Sequence, residues 1–177
     1  MERYILDNVD NRVYELVTKK SRFIAKAYYV QSVQDVEKIL ERVKKEYRDA
    51  KHIVYAYRLE NTGKFTDDKE PQGTAGKPIY SLLEKENLIN TLIIVIRYFG
   101  GILLGSGPLT RAYASSAKEA LNMCNKKEYV EYIEKSIKCE YGEEENTKRA
   151  ISLNKGIIQE IQRTDKIEIK YLEPKEL

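Results

Sequence analysis

A chain of 177 residues with 42% hydrophobic and 33% charged side chains is long enough for one large or two small domains and too apolar to be disordered. Its net charge of +3 falls short of a dedicated DNA-binding domain, but the charge is uneven: residues 1–126 hold 21 Lys and Arg against 16 Asp and Glu, and residues 127–177 hold 10 against 12. Cys124 and Cys139, the only cysteines, lack CxxC spacing, which excludes a disulfide framework and a cysteine zinc site and fits a reducing cytoplasm.

The opening, MERYILDNVDNR, is charged and is read as no signal peptide. Two strands follow, residues 12–19 (RVYELVTK) and 22–30 (RFIAKAYYV), rich in β-branched and aromatic side chains, with Ser21 between them. In SVQDVEKILERVKKEY, Val33, Val36, Ile39, Leu40 and Val43 recur at helical spacing. Ser32 and Asp35 form a capping pair, and Lys44-Lys45 suit the C-terminal end of the helix dipole. Residues 52–60 (HIVYAYRLE) read as a strand and Asn61-Thr62-Gly63 as a turn. The segment TDDKEPQGTAGKP, with two Pro and two Gly, cannot hold regular structure and is too long for an idle connection.

Pro78 is expected to open a short helix, IYSLLEKEN. Residues 91–99 (TLIIVIRYF) read as a buried strand whose apolar run is too short to span a membrane. A loop with Gly100, Gly101, Gly105 and Gly107 follows, then a helix with Pro108 at its first position and Leu109, Ala112, Tyr113, Ala117, Ala120 and Leu121 on one face. Composition shifts at NKKE (125–128), the expected boundary between domains 1–126 and 127–177. The remainder reads as a strand (129–141), a short helix (143–152) and a hairpin of strands 156–162 and 166–172.

The glycine loop is the first candidate site. Gly105-Ser106-Gly107 before a helix offers backbone N–H groups and a helix dipole to a phosphate or carboxylate, and Arg97 and Arg111 could clamp the same anion. The same glycines, with Gly100 and Gly101, equally suit close packing of backbone on backbone. In the polar loop, Asp67, Asp68 and Glu70 are oxygen ligands for a hard cation, or else a solvated acidic segment that positions Lys69 or a partner protein; no metal-ligand spacing is met. Gly73-Thr74-Ala75-Gly76-Lys77 reads as a second hydrogen-bonding turn, and folded against the Arg97 loop it would make one cleft of mixed charge. His52, the lone histidine, suits a general base, a stacking partner for a nucleotide or a structural role. Ser81, Ser106 and Ser115 lack a triad context and the cysteines lack a catalytic signature, so no residue is assigned to catalysis.

These blocks resemble the IMPACT/YigZ family over residues 18–123. The likeness is carried by Ser21-Arg22-Phe23-Ile24-Ala25, by Ala50-Lys51-His52 leading to Ala56-Tyr57, by the run from Asp67-Asp68-Lys69-Glu70-Pro71-Gln72-Gly73 to Pro78, and by the run from Arg97-Tyr98-Phe99-Gly100-Gly101 to Tyr113. The resemblance implies a two-domain α+β protein. Its first domain would be a βαβ-type two-layer sandwich like a small-subunit ribosomal protein domain, elongation factor G domain IV and the galactokinase/mevalonate kinase superfamily. Its second would be ferredoxin-like, as in elongation factor domain V; the short tail departs from that pattern and predicts a shortened β-α-β-β domain, completed by another subunit or simply cut short.

Eukaryotic relatives regulate translation, so the resemblance implies a cytoplasmic, translation-associated regulator that is more a binder than an enzyme. It would meet the ribosome, RNA or a regulatory protein through the cleft between loops 66–78 and 97–111, with no cofactor, metal or membrane. The alternative implied by the kinase-superfamily fold is a phosphate-ligand or nucleotide-binding enzyme, with Asp67, Asp68 or Glu70 on magnesium. Two positions depart from the family pattern: Lys69 stands where Gly is usual, adding charge to that turn, and Pro108 replaces a usual Gly, stiffening the helix start.

Overall fold

A computed structural model describes residues 2–7 and 12–175; Met1 and residues 8–11 of the opening segment, with 176 and 177, lie outside it. The chain divides into two compact units, Met1–Tyr129 and Val130–Leu177. No helix among the described residues is long and apolar enough to cross a membrane.

The first unit is built on strands β2 (Tyr14–Thr18), β3 (Ser21–Tyr29), β4 (His52–Arg58), β5 (Gly63–Thr66) and β6 (Thr91–Tyr98), in the order β2-β3-β6-β4-β5 with all neighbours antiparallel. Central strand β6 is buried on both faces, which explains its unbroken apolar run in place of alternation. Helix α1 (Val33–Glu46) joins β3 to β4. Its Val36, Leu40 and Val43 pack on Ile24, Tyr28, Ile94 and Ile96. Helices α2 (Gly76–Lys85) and α3 (Ser106–Asn122) cover the opposite face, with Ile79, Leu83, Leu109 and Tyr113 against Phe23, Ala25, Val54 and Val95. The α+β class is the one implied by the resemblance. Helices lie on both faces of the sheet, however, so the layers number three rather than two.

The sequence pattern missed three short strands. β5 is one, concealed by its four residues and the glycine at its start. The others are β1 (Tyr4–Asp7) and β7 (Asn125–Glu128), which pair antiparallel. β7 is the NKKE run; exposed and charged, it has no alternation to betray it, and only its ladder to β1 makes it a strand. α2 and α3 each begin two residues before the expected proline, leaving Pro78 and Pro108 inside the first turn, where a missing N–H still breaks no bond.

The second unit runs β8 (Tyr132–Cys139), a 3₁₀ turn (Tyr141–Glu143), α4 (Glu144–Leu153), β9 (Ile157–Arg163) and β10 (Ile167–Pro174), with antiparallel sheet order β8-β10-β9. This is the β-α-β-β element order expected from the short tail. Its core is small: Cys139, Ile151, Ile167 and Ile169 are its buried apolar residues.

α1 carries a complete capping box: Ser32 Oγ accepts from the Asp35 N–H, and the Asp35 carboxylate accepts from the Ser32 N–H. Ser32→Ala should lower unfolding free energy by about 1 kcal/mol. Urea unfolding of the full chain measures it, and an unchanged midpoint would show that packing alone holds α1.

Candidate functional site

Register brings the site together. Arg97 on β6 lies opposite Phe23 on β3 and opposite His52 on β4, so three side chains from three strands form one row at one end of the sheet. Glu70 enters this row from the loop after β5, and Tyr113 from the second turn of α3. Arg97 Nη1 donates to Glu70 Oε1 at 2.6 Å, and the Tyr113 hydroxyl donates to the same oxygen at 2.7 Å. His52 Nε2 stands 3.7 Å from it. Arg97 is 5% exposed and Glu70 9%, so both charges have left water.

The Arg97 guanidinium also packs between aromatic rings, 5.4 Å from the Phe23 centroid and 5.5 Å from that of Phe99. Phe23 meets Tyr113 edge-on at 5.2 Å. Burial, and then the hydrogen bond to Glu70, push the Tyr113 hydroxyl far above its ordinary range, so it remains a proton donor.

The other carboxylates of the polar loop are equally engaged. Asp67 accepts from the Gly73 N–H at 2.7 Å, Ala75 at 3.1 Å and Gly76 at 2.8 Å. Helix α2 has no side-chain cap at its own N-cap, so Asp67 is the anion at its N-terminus. Asp68 Oδ2 accepts from the Ile53 N–H at 2.6 Å, and the Asp68 carbonyl accepts from His52 Nδ1 at 2.7 Å. The Thr74 hydroxyl donates to the Pro71 carbonyl. The hard-cation option thus meets, on each of Asp67, Asp68 and Glu70, at least one oxygen already bound to the chain's own donors, and no group of three His, Cys, Asp or Glu among the described residues is arranged to hold a metal.

The glycines divide by role. A Cβ on Gly100 would stand 2.0 to 2.4 Å from the backbone of Lys20 and Ser21, and one on Gly76 would stand 2.3 to 2.9 Å from Thr66 backbone. These two serve close packing; the Gly100 N–H donates to Ser21 Oγ at 3.2 Å. Gly101 and Gly73 occupy left-handed backbone in turns. Gly105, the N-cap of α3, has φ of +85°, while Gly107 has an ordinary φ, and a Cβ there would meet only the Arg111 side chain, at an ordinary contact distance of 3.6 Å. α3 has neither a side-chain cap nor an acidic residue in its first turn, unlike α2 with Asp67.

The two loops expected to form a cleft do meet, through Glu70, Arg97 and Tyr113. The expected joint clamp of Arg97 and Arg111 on one anion is corrected: Arg97 is buried and matched by Glu70, while Arg111 is exposed on α3. The free charge lies elsewhere at this end. Lys19, Lys20, Lys51, Lys69, Lys77 and Arg111 are exposed and have no carboxylate partner among the described residues. Between them the loop after β6 holds out Phe99 (41% exposed), Ile102 (43%) and Leu103 (82%), with Lys51 Nζ 5.9 Å from the Phe99 centroid.

Sequence reasoning did not assign Lys19, Lys20, Lys51, Phe99 or the Tyr113 hydroxyl to this site. A buried tyrosine needs a partner for its hydroxyl, the one signal that pointed to Tyr113. The lysines carried no signal, because only the fold brings their turns to one end.

Residues 19–121 match the family model described as the Impact N-terminal domain. The Bacillus subtilis protein named IMPACT family member YvyE is 42% identical over 112 residues, covering 62% of this chain and 52% of that one. A Haemophilus influenzae IMPACT family member is 37% identical over 139 residues, covering 74% and 66%. The matches span about half to two-thirds of the length of these two relatives. A crystal structure described as that of an hypothetical protein superposes with a TM-score of 0.70 at 28% identity, covering 98% of this chain and 85% of that one.

Two tests address the site's construction. Glu70→Ala and Arg97→Met should each destabilise by roughly 3–5 kcal/mol, because each leaves a buried charge unmatched. The double variant should lose less than the sum, and additive losses in urea unfolding would show that the pair is not coupled. Gly100→Ala should cost more than about 2 kcal/mol by driving a methyl into backbone, whereas Gly107→Ala should gain roughly 0.5–1 kcal/mol by restricting the unfolded chain. Equal effects in thermal melts would contradict the division of roles among the glycines. With a family model that spans residues 19–121 and the loop blocks that carry the likeness joined at one site, the chain belongs to the IMPACT family.

Proposed function

We propose that the protein is a translation-associated binding protein whose loop-bearing end engages RNA, on the ribosome in particular. One observation carries this reading: Lys19, Lys20, Lys51, Lys69, Lys77 and Arg111 lie on the turns and element starts at one end of the first unit, without carboxylate partners among the described residues, around a glycine-rich loop and the start of α3, which has no side-chain cap. Phosphate oxygens suit such a surface, since unmatched ammonium and guanidinium groups release counterions when they meet a polyanion. Family membership supports the tie to translation, because the eukaryotic members implied by the resemblance regulate it.

Backbone strain supports the reading further. Lys19 and Lys20 have φ of 45° and 62°, and form the two-residue turn between Thr18 and Ser21. Asp68 and Lys69 have φ of 41° and 67°, in a turn closed by the Glu70 N–H to the Asp67 carbonyl. Both turns have the positive-φ centre that Asn-Gly adopts at low cost and lysine adopts at higher cost. Three of the six cations thus occupy strained backbone, the pattern expected when a surface property is retained at the expense of stability. The nucleotide-binding enzyme reading is not favoured, since the carboxylates it would place on magnesium are tied to Arg97, Tyr113 and backbone amides.

The combined variant Lys19→Asn/Lys20→Gly separates the two consequences. It should raise unfolding free energy by on the order of 1 kcal/mol while weakening binding to ribosomal RNA. The plot of log affinity against log salt should become shallower by roughly 0.7–0.9 for each phosphate no longer neutralised. Fluorescence anisotropy across a salt series measures this. Absence of RNA and ribosome binding at low salt would overturn the proposal, as would an unchanged slope in this variant together with Lys51→Gln/Lys69→Gln.

A further inference from the structure

We infer that this end prefers unpaired nucleotides, and that Phe99 is the platform on which a base stacks. The inference rests on the RNA-binding reading and adds the form of RNA recognised. Phe99 directly follows the central strand, yet it belongs to neither core cluster of the first unit, and the residue is 41% exposed. The core gives no reason for an aromatic residue here. The ring is held nonetheless: the Arg97 guanidinium lies 5.5 Å from its centroid and the Lys51 ammonium 5.9 Å. Arg97 is itself fixed by Glu70, which Tyr113 also binds, so the buried ion pair backs the ring and sets its position.

The next residues keep the approach open. Gly100 lies flat on the Lys20–Ser21 backbone, and nothing stands within 4 Å of a Cβ position on Gly101. Ile102 and Leu103 extend the apolar surface. Lys51, beside the ring, and Lys19 and Lys20, whose turn abuts Gly100, stand where the phosphates flanking a stacked base would pass.

Bases in a duplex face each other and offer no open π-face, whereas bases in loops, bulges and single strands do. A ring backed by Arg97 and flanked by Lys51, with the Lys19–Lys20 turn against the neighbouring Gly100 and none of these lysines bound to a carboxylate among the described residues, matches unpaired RNA in both its parts: stacking for the base, ammonium groups for the backbone. An acidic amphipathic protein segment would meet the lysines and Leu103, but it would not require an aromatic ring at position 99.

The full-length chain should be titrated into a fluorescein-labelled 12-nucleotide single-stranded RNA and into a 12-base-pair duplex of the same composition. The single strand should bind more tightly. Phe99→Ala should weaken it by about tenfold, in line with the removal of one base–aromatic stack, and leave duplex binding and the salt slope unchanged. Phe99→Tyr should retain the preference and Phe99→Leu should lose it, which separates stacking from mere apolar contact; circular dichroism checks that each variant is folded. Equal affinity for both RNAs, or a Phe99→Ala effect shared by both, would overturn this inference and leave the RNA-binding reading standing. Loss of ribosome association in Phe99→Ala with single-strand affinity intact would assign the tip to a protein contact and overturn it too. No binding to either RNA would defeat the underlying reading.

Discussion

The buried pair of Glu70 and Arg97 is the constraint on which this end of the first unit depends. Arg97 comes from the central strand and Glu70 from a turn-rich loop, and their contact at 2.6 Å fixes that loop to the sheet. Isolated burial of either charge would be strongly unfavourable, so each group specifies where the other must be. Tyr113 adds a second donor from α3, which ties the helix after the glycine loop to the same oxygen. One carboxylate oxygen therefore registers a strand, a loop and a helix against one another.

This network changes which residues face outward. Asp67 supplies the anion at the start of α2 and Asp68 ties the loop to β4, so acidic groups that look ligand-like in sequence are internal fasteners. With the acids turned inward, lysines on the two strained turns and at the heads of β4 and α2 are left without carboxylate partners among the described residues. The weak net charge of the chain conceals this. Local field at a surface depends on which charges are paired, not on their sum. The start of α3, without a cap, faces the same end as these lysines, and the contrast with α2 makes the asymmetry plain.

The second unit follows different physics. Three antiparallel strands and one helix bury four apolar side chains, and β8 exposes Ile133 and Ile137. Its surface is laced with ion pairs, among them Glu144 with Arg163 and Lys148, whose cations hold the Glu144 carboxyl well below its usual range, at about 2. Such exposed pairs orient side chains more than they stabilise a fold. The first unit, with its sheet covered on both faces, carries the large core.

What could be read along the chain was set by local chemistry. The period of Val36, Leu40 and Val43 makes α1, the capping pair Ser32 and Asp35 starts it, and the unbroken run in β6 marks a strand buried on two sides. Each of these signals acts within a few residues, where helical or strand geometry is a local consequence of side-chain placement. The short strands β1, β5 and β7 escaped this reading, because their regularity comes from ladders to partners and not from their own pattern. The loop blocks of the site were legible as unusual segments, and their meeting was an expectation. It took strand register and helix packing to sequester Arg97 with Glu70, to pack Gly100 where Gly107 has room, and to set Lys51 beside Phe99 and the Lys19–Lys20 turn against Gly100. The reason is physical: pairing, burial and free charge are properties of atoms adjacent in space, and residues separated by dozens of positions become neighbours only when strand register and helix packing place them so.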